Sequence, residues 1–416
     1  MKFNLSFLPM NRKFFLFAVV AMILVAIAAC SKDELGVEVI VPQQEQMDSY
    51  RVSVDEALRS AETILRAGDR DTRSDARRVK STELYVAKPA TRSNENTEVS
   101  FYLINYEDNA GYALVSTDER TTPVYMYAED GNITTEAFEE VPPLAIFMEE
   151  AVANYEAEVA NYDEPEDIYF PPGMDGLMGR IDGILCYIDN DTIQSSKRLP
   201  RLTYWHQEAP YNDMCNGHAV GCVPVALGQI MAYHRFPSSH YGYSFNWTSM
   251  LQSSSIDSVD EVGARHIKRL LERIGNASGI QYNDDSYTSS GASDSEAAAA
   301  LRTFGYNCTY YNGFIPSYAI LDLDNNRPLY AAGNHYQTNK GHAWMIIGYN
   351  RTQYVTRYYF TEPPYNLYKT ETLEDIIYFE HNFGWEHSYP TFLLEPTELD
   401  YRNNRGMIYN IHPSND

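Results

Sequence analysis

Residues 222–234 carry apolar side chains at helical spacing, with a single cysteine at the start of the run. Pro224 suits the first turn of a helix, where its missing N–H is not needed, and Pro237 ends the run. Positions three and four apart share one face of a helix. Here they are Val223, Leu227, Ile230 and Met231. The pattern predicts a helix that begins at Cys222.

The region from residue 51 to residue 170 combines helical and strand-like patterns. Ser53 and Glu56 have the spacing of a capping box. The apolar face of the helix that they start consists of Val54, Leu58, Ala61 and Leu65. Short strand-like runs separated by turn-forming residues predict a small antiparallel sheet. They span residues 84–86, 99–105, 111–116 and 124–127. A second helix has an apolar stripe of Leu144, Met148, Val152, Tyr155, Val159 and Tyr162. We expect a compact α+β unit without catalytic residues of its own.

The second half of the chain changes from helices to strands. Residues 260–274 and 295–304 are predicted helices, and the remainder is strand-like. The predicted strands span residues 328–332, 342–349, 354–360, 375–379 and 407–411. A helical lobe that carries Cys222, followed by an antiparallel sheet lobe, is the two-lobed α+β layout of papain-like enzymes. A chain of 416 residues is long enough for this domain and the preceding unit.

Prolines and glycines between residues 165 and 176 mark a boundary between the two units. We therefore predict a first domain at 51–170, a linker at 171–198 and a second domain at 199–416. The linker contains Arg180, Lys197 and Arg198, which are candidate sites for cleavage.

The first residues have the features of a targeting segment. Lys2, Arg12 and Lys13 precede an apolar stretch at 14–29, which is short for a membrane span. Residues 27–30 resemble a bacterial lipobox, so we predict a signal peptide at 1–30, lipidation of Cys30 and a polar tether at 31–50. The alternative is an ordinary secretory signal that is cut nearby. Residues 31–34 resemble the acidic sequences that send some lipoproteins to the outer face of the outer membrane, which predicts an outer-membrane lipoprotein or cell-surface protein. Retention of the anchor and release after processing are both open from the sequence.

The net charge of −25 argues against nucleic acid as a partner, because phosphate binding requires a basic face. It mainly favours solubility. The five cysteines show no closely spaced pairs, so no disulfide framework is expected. We expect neither a cofactor nor a metal, and contact with a membrane only through the N-terminal lipid.

Cys222 is a candidate nucleophile. At a helix N-terminus the free N–H groups favour an anion, which lowers the pKa of a thiol. A cysteine nucleophile also needs a base, a group that orients the base, and donors for the oxyanion. His342 opens an apolar strand behind Gly341, Asn382 follows the next long strand, and Gln207 can donate its side-chain amide beside the N–H of Cys222. Rival histidines are His218, His234 and His335; His234 lies more than three helical turns from Cys222, out of reach.

These residues and their order resemble the streptopain family of clan-CA cysteine peptidases. The matching positions are Gln207, Pro210, Tyr211, Asn212, Gly221, Cys222, Ala226, residues 229–234, Gly341, His342, Ala343, Asn382 and Trp385. Together they span residues 199–396. The first unit, with Gly111, Asp118 and Arg120 around a strand, resembles the inhibitory propeptide of that family.

The resemblance implies a secreted or surface-anchored endopeptidase made as a zymogen, which acts on proteins or peptides and is inhibited by its own propeptide. It implies that Cys222 is the nucleophile, His342 the base and then the acid, Asn382 the orienting group and Gln207 the oxyanion donor. It also implies a preference for an apolar residue on the N-terminal side of the cleaved bond. The implied substrate-binding residues are Gly341, Phe383, Trp385, Ser290 and Gly291.

The chain departs from the family pattern near both ends of the predicted site. Phe383 stands where the family has tryptophan, and residues 386–390 replace a glycine-rich segment. Residues 223–225 replace the usual small residues after Cys222. Phe383 can still shield the imidazole from water, so we expect catalysis to survive and substrate preference to differ.

Three alternatives compete with the peptidase interpretation. Cys215, His218 and Cys222 could bind zinc together with His234 or His240, although their spacing is not that of common zinc sites. A transglutaminase or amidase would use the same Cys and His chemistry, and formation of crosslinks instead of peptide-bond cleavage alone would distinguish it. A surface binding or inhibitor protein on a lapsed protease fold would not react with a thiol-directed inhibitor.

Overall fold

The computed structural model describes residues 50–68, 77–87, 98–162, 178–181, 184–282, 291–335, 341–360, 364, 367–385, 391–395 and 405–414. The helices are α1 Val54–Gly68, α2 Ala137–Glu140, α3 Pro142–Ala160, α4 Cys222–His234, α5 Trp247–Met250, α6 Glu261–Ala277, α7 Asp294–Thr303 and α8 Pro316–Asp324.

The strands are β1 Val79–Val86, β2 Ser100–Tyr106, β3 Tyr112–Ser116, β4 Val124–Ala128, β5 Met178–Ile181, β6 Ile184–Arg198, β7 Ser239–His240, β8 Tyr243–Ser244, β9 Tyr306–Tyr311, β10 Leu329–Asn334, β11 Gly341–Phe360, β12 Leu367–Asn382, β13 Thr391–Leu394 and β14 Arg405–Pro413.

The N-terminal unit has the predicted α+β form. Strands β1 to β4 form an antiparallel meander, and α1 packs against β2, β3 and β4. The capping box that starts α1 is present, since the Glu56 carboxylate accepts from the backbone N–H of Ser53 at 2.9 Å. Ala57, Ala61 and Leu65 are fully buried, so the face of α1 that meets the sheet is the predicted apolar face.

The two units share one antiparallel sheet, which the sequence did not predict. Strand β4 of the N-terminal unit pairs with β13, so the sheet runs in the order β1-β2-β3-β4-β13-β12-β11-β10-β14-β9. The junction is closed by aromatic side chains: the rings of Tyr127 and Phe392 stack with their centroids 4.7 Å apart. The Tyr378 hydroxyl donates to the carbonyl of Val124 at 2.7 Å. These contacts fix the N-terminal unit on the edge of the C-terminal one.

Most of the segment that the sequence places in a linker at 171–198 is strand in the structure. Strand β6 pairs with β11 along its length, from Cys186 opposite Phe360 to Arg198 opposite Gly348. The Arg198 guanidinium lies against Glu380, a fully buried residue of β12, with a shortest distance of 2.6 Å. Strand β6 is therefore part of the C-terminal sheet.

Helix α4 lies in the helical lobe, where it packs against α6 and α7, and it also contacts β10 and β11 of the sheet lobe. A Cβ atom added at Gly228 would lie 2.7 Å from Leu271 Cδ2, so the glycine allows α4 and α6 to approach closely. Within the described ranges, no helix has the length and apolar character needed to cross a bilayer.

Candidate active site

Cys222 and His342 line one cavity, although they come from different lobes. The cavity has a volume of about 850 Å³ and lies between α4, the N-terminus of α7 and the strands β10, β11 and β14. Gly291 and Gly341, two of the predicted substrate-binding residues, also line it. Its volume is in the range of small-molecule and peptide-binding clefts.

Cys222 is the first residue of α4, as the helical pattern predicts. The preceding residue, Gly221, has φ 96°, a left-handed conformation that favours glycine. The backbone N–H groups of Ala343 and Val223 hydrogen-bond the thiol and lower its pKa, but burial has the larger effect and raises the pKa. The expected activation by the helix N-terminus is therefore outweighed in this covered form, and the thiol is neutral.

His342 is the second residue of β11 and is buried. Its Nε2 atom donates to the carbonyl oxygen of Phe383 at 2.9 Å, which leaves Nδ1 as the proton acceptor. Burial lowers the pKa of the imidazole to about 4, against the opposing effect of this hydrogen bond. Its ring centroid lies 5.8 Å from that of Trp385. The imidazole is thus neutral and fixed in one tautomer.

Asn382 makes its hydrogen bonds away from His342. It is the last residue of β12, and its amide donates to the Thr203 carbonyl at 3.1 Å and to Gln229 Oε1 at 2.9 Å. Its Oδ1 accepts from the backbone N–H of Gly384 at 3.4 Å. Gln229 is a buried residue of α4, and its pairing with Asn382 could not be predicted from the sequence. Through these hydrogen bonds the Asn382 side chain joins α4 to residues 383–385. The predicted direct hydrogen bond from Asn382 to the imidazole is absent from the described residues.

The remaining predicted site residues are placed around the cavity. The Gln207 carbonyl accepts from the backbone N–H of Val220 at 2.9 Å, which holds Gln207 beside the turn that leads to Cys222. In the described part of the chain, Gln207, Phe383 and Trp385 lie outside the cavity lining. Ser290 and Cys30 lie outside the described residues.

One face of α3 covers the cavity. Pro142 lines the cavity, and Ile146 lies against Gly333, where an added Cβ would be 3.2 Å from Ile146 Cγ2. One turn further along, Glu149 pairs with His335 at 3.0 Å and Glu150 pairs with Arg405. Positions 142, 146, 149 and 150 share one helical face, so the N-terminal unit covers the cavity with a single stripe of α3.

The pair between Glu150 and Arg405 is buried. Arg405 Nε donates to Glu150 Oε1 at 2.8 Å, and Nη1 donates to Glu395 Oε2 at 2.9 Å. All three residues are less than 8% exposed. Glu395 and Arg405 belong to the C-terminal unit, so Glu150 supplies a charge to this cluster from the other unit. A second link joins Arg198 to Glu129 of the N-terminal unit at 2.6 Å.

The zinc alternative has no support from the described geometry, in which no three His, Cys, Asp or Glu side chains are grouped as metal ligands. Cys215 is buried, and burial raises its pKa to about 11.

Comparison with known protein families matches both units. Residues 205–392 match the model of the Peptidase C10 family, and residues 49–154 match the model of the Spi protease inhibitor. The chain contains a Peptidase C10 domain preceded by a Spi inhibitor domain. We call the unit that contains residues 184–414 the peptidase domain and the N-terminal unit that contains residues 50–162 the inhibitor domain. The predicted resemblance to the streptopain family is confirmed, and the chain is a cysteine peptidase zymogen with an inhibitory propeptide.

A solved structure of a prointerpain A fragment from Prevotella intermedia, with a cysteine-to-alanine substitution, is similar to this chain at 18% identity. The alignment covers 79% of this chain and 98% of that one, with a TM-score of 0.48. No curated protein sequence matches.

Two features of the peptidase site could not be predicted from the sequence. The Phe383 carbonyl is a main-chain acceptor that any residue could supply, so residue type carries no signal for it. Asp294 and Tyr330 also line the cavity, and the Tyr330 hydroxyl donates to Asp294 Oδ1 at 2.7 Å. Their sequence neighbourhoods carry no motif that joins them, because α7 and β10 meet only in the fold.

Proposed function

We propose that Cys222 is the nucleophile of this peptidase and that His342 is its general base and acid. The observation that carries the proposal is the placement of both side chains on one cavity, each from a different lobe. The rival His335 is paired with Glu149 of the inhibitor domain. His234 lies at the other end of α4 from Cys222.

The reaction follows from the hydrogen bonds of the site. His342 Nδ1 takes the proton of the Cys222 thiol, while the Phe383 carbonyl holds Nε2–H and stabilises the imidazolium. The thiolate attacks the peptide carbonyl, and the oxyanion accepts from the backbone N–H of Cys222 and the side-chain amide of Gln207. His342 then gives its proton to the leaving amine. A water molecule, deprotonated by His342, hydrolyses the thioester and releases the acid product.

Asn382 has an indirect part in this proposal. Its hydrogen bonds to Gln229 and Gly384 hold the segment that carries the Phe383 carbonyl, which in turn contacts the imidazole. Asn382 is therefore a positioning residue that acts through Phe383.

The inhibitor domain keeps the reacting groups neutral in the zymogen. In the zymogen, burial raises the pKa of the Cys222 thiol and lowers that of the His342 imidazole. Removal of α3 would admit water and substrate to the cavity, and the ion pair that attacks the peptide bond would then form more readily.

The chain is proposed to reach the cell surface as a lipoprotein. The sequence pattern at residues 14–30 supports lipidation of Cys30 after signal cleavage, with residues 31–50 as a tether. A Cys30→Ala variant would lose incorporation of a labelled fatty acid and would leave the membrane fraction. Unchanged membrane association of this variant would contradict the anchor. Substrates are proteins or peptides.

A thiol-directed peptidyl epoxide tests the catalytic assignment. The activated enzyme is expected to lose activity in step with labelling of Cys222, and Cys222→Ala is expected to be unlabelled, inactive and unprocessed. Cys308→Ala is the matched control, because Cys308 is also partly exposed but is not among the residues that line the cavity. Inhibition with no label on Cys222, or crosslinking of protein amines without cleavage, would contradict the proposal.

A further inference from the structure

The cavity beside Cys222 contains a carboxylate that the catalytic proposal does not use. Asp294 is the first residue of α7 and lines the cavity together with Cys222 and His342. The Tyr330 hydroxyl donates to its Oδ1 at 2.7 Å. Its Oδ2 lies over the backbone of β14, where a Cβ added at Gly406 would be 1.9 Å away. A glycine at 406 therefore makes room for the Asp294 carboxylate.

Asp294 has no cationic partner among the described residues. The nearby guanidinium of Arg405 lines the same cavity but is committed to Glu150 and Glu395. The other acidic residue of the lining, Glu296, is held by the backbone N–H and hydroxyl of Ser293 in the capping box of α7. Asp294 is the carboxylate of the cavity that is left without a helix-capping or ion-pair role.

An unpaired carboxylate at this place opposes catalysis in the empty site. Its negative charge raises the pKa of the Cys222 thiol, although less than burial does, and burial raises the pKa of Asp294 itself. A cation delivered by the substrate would compensate both effects, since it would pair with the carboxylate and weaken its repulsion of the thiolate. The Asp294 carboxylate is therefore compatible with catalysis once a cationic substrate is bound.

We propose that Asp294 is a specificity-determining residue that binds the basic side chain of a lysine or arginine next to the cleaved bond. The inference rests on the proposed role of Cys222 and His342. The cavity volume of about 850 Å³ accommodates a long basic side chain together with substrate backbone.

Peptide pairs that differ at one position test this proposal on the activated enzyme. One peptide of each pair carries lysine and the other norleucine, which has the lysine carbon chain without the ammonium group. The position is scanned over the three residues before the cleaved bond. At one position we expect kcat/KM to be at least about tenfold higher for lysine, the size of effect given by a buried charge-assisted contact.

Two variants then distinguish an effect of the Asp294 carboxylate from an effect of any negative charge on α7. In Asp294→Asn, which keeps an acceptor for Tyr330, the lysine-to-norleucine ratio is expected to fall to within about twofold of one. In Glu296→Gln, which removes the same charge from the same helix, the ratio is expected to persist. Circular dichroism of both variants checks that they are folded.

Equal cleavage of the lysine and norleucine peptides by the wild-type enzyme would overturn the specificity proposal and leave the catalytic one intact. A ratio that survives in Asp294→Asn, or that is lost in Glu296→Gln, would overturn the role of Asp294. Absence of all cleavage, with Cys222 unreactive toward the epoxide, would instead overturn the catalytic proposal on which this one rests.

Discussion

The Nε2 atom of His342 lies 2.9 Å from the carbonyl oxygen of Phe383, the residue that follows the predicted orienting group. A main-chain carbonyl can only accept, so this contact fixes the proton on Nε2 and leaves Nδ1 free to act as a base. The Phe383 carbonyl is held in position because the preceding residue, Asn382, is hydrogen-bonded to Thr203 and Gln229. The base of the site is thereby connected to the helix that carries Cys222.

Substitution of Asn382 or Gln229 by alanine is predicted to have closely similar effects. Each change removes the buried hydrogen bond between Asn382 and Gln229, and the amide that remains keeps only its contact with Thr203 on that side, which costs about 1–3 kcal/mol of the free energy of unfolding. The double variant is expected to cost less than the sum of the two single variants, because they share one interaction. Chemical unfolding of the three variants measures this coupling. Additive losses, or a loss of kcat confined to Asn382→Ala, would favour direct orientation of His342 by Asn382.

The alkylation rate of Cys222 is predicted to increase when the inhibitor domain is removed. In the zymogen the pKa of the thiol is raised by burial, so the thiolate fraction at pH 7 is small and increases only at alkaline pH. Each unit by which the pKa falls on activation gives about a tenfold higher thiolate fraction at neutral pH. Iodoacetamide labelling between pH 5 and 10, read by mass spectrometry, measures this in both forms.

Cys308 is the internal control for that experiment. Burial also raises the pKa of its thiol, but Cys308 lies in β9 and its thiol contacts the Ala298 carbonyl of α7, both in the peptidase domain, so we expect its rate to stay unchanged on activation. Equal rates for Cys222 before and after activation would mean that the inhibitor domain does not control the state of the thiol.

Glu150→Gln is predicted to weaken the hold of the inhibitor domain on the peptidase domain. The change takes one of two carboxylates away from the buried Arg405, which keeps its pair with Glu395, so the loss is smaller than the penalty of about 3–5 kcal/mol for a buried charge left without any partner. We expect faster activation and a higher dissociation constant of the cleaved inhibitor domain, measured by titration calorimetry. Glu62→Gln makes the same change in the i,i+4 pair that Glu62 forms with Arg66 on α1, and it should leave both properties unaltered. An unchanged dissociation constant for Glu150→Gln would rule out this anchor.

Activation cleavage is predicted to fall before Ile184, so that the mature enzyme keeps β6. Lys197 and Arg198 were candidate cleavage sites from the sequence, but both lie in β6 opposite Tyr349 and Gly348, and Arg198 is paired with the buried Glu380. A protease would have to detach this strand from β11 before it could bind the bond. N-terminal sequencing of the mature enzyme decides the point, and a mature chain that begins at Leu199 would show the prediction to be wrong.

The elements that the sequence predicted are those with a strong local period. The capping box and apolar face of α1, the helix that begins at Cys222 and the strands β2 to β4 all follow from spacing within one segment. Strand β6 was missed because its second half is polar, and its pairing with β11 is set by a partner more than a hundred residues away. The pairing of β4 with β13 was also missed, because it too connects residues that are far apart in the sequence.

The candidate site was predictable where it depends on residue type and not where it depends on tertiary contacts. Thiol and imidazole chemistry identified Cys222 and His342, and the fold brings them to one cavity. The predicted direction of the thiol pKa shift was wrong for the zymogen, because the burial of Cys222 in the folded chain is invisible in the sequence. The acceptor for His342 is a backbone atom, and the partner of Asn382 is a residue of another lobe.

Trapping of the covalent intermediate tests the central claim most directly. The activated enzyme is mixed with a peptide ester and quenched in acid, and the adduct is located by mass spectrometry. Our account predicts an acyl group on Cys222 that is absent from Cys222→Ala and forms at least about a hundredfold more slowly in His342→Ala, the usual size of a general-base contribution. An acyl group on another residue, or undiminished acylation in His342→Ala, would contradict it.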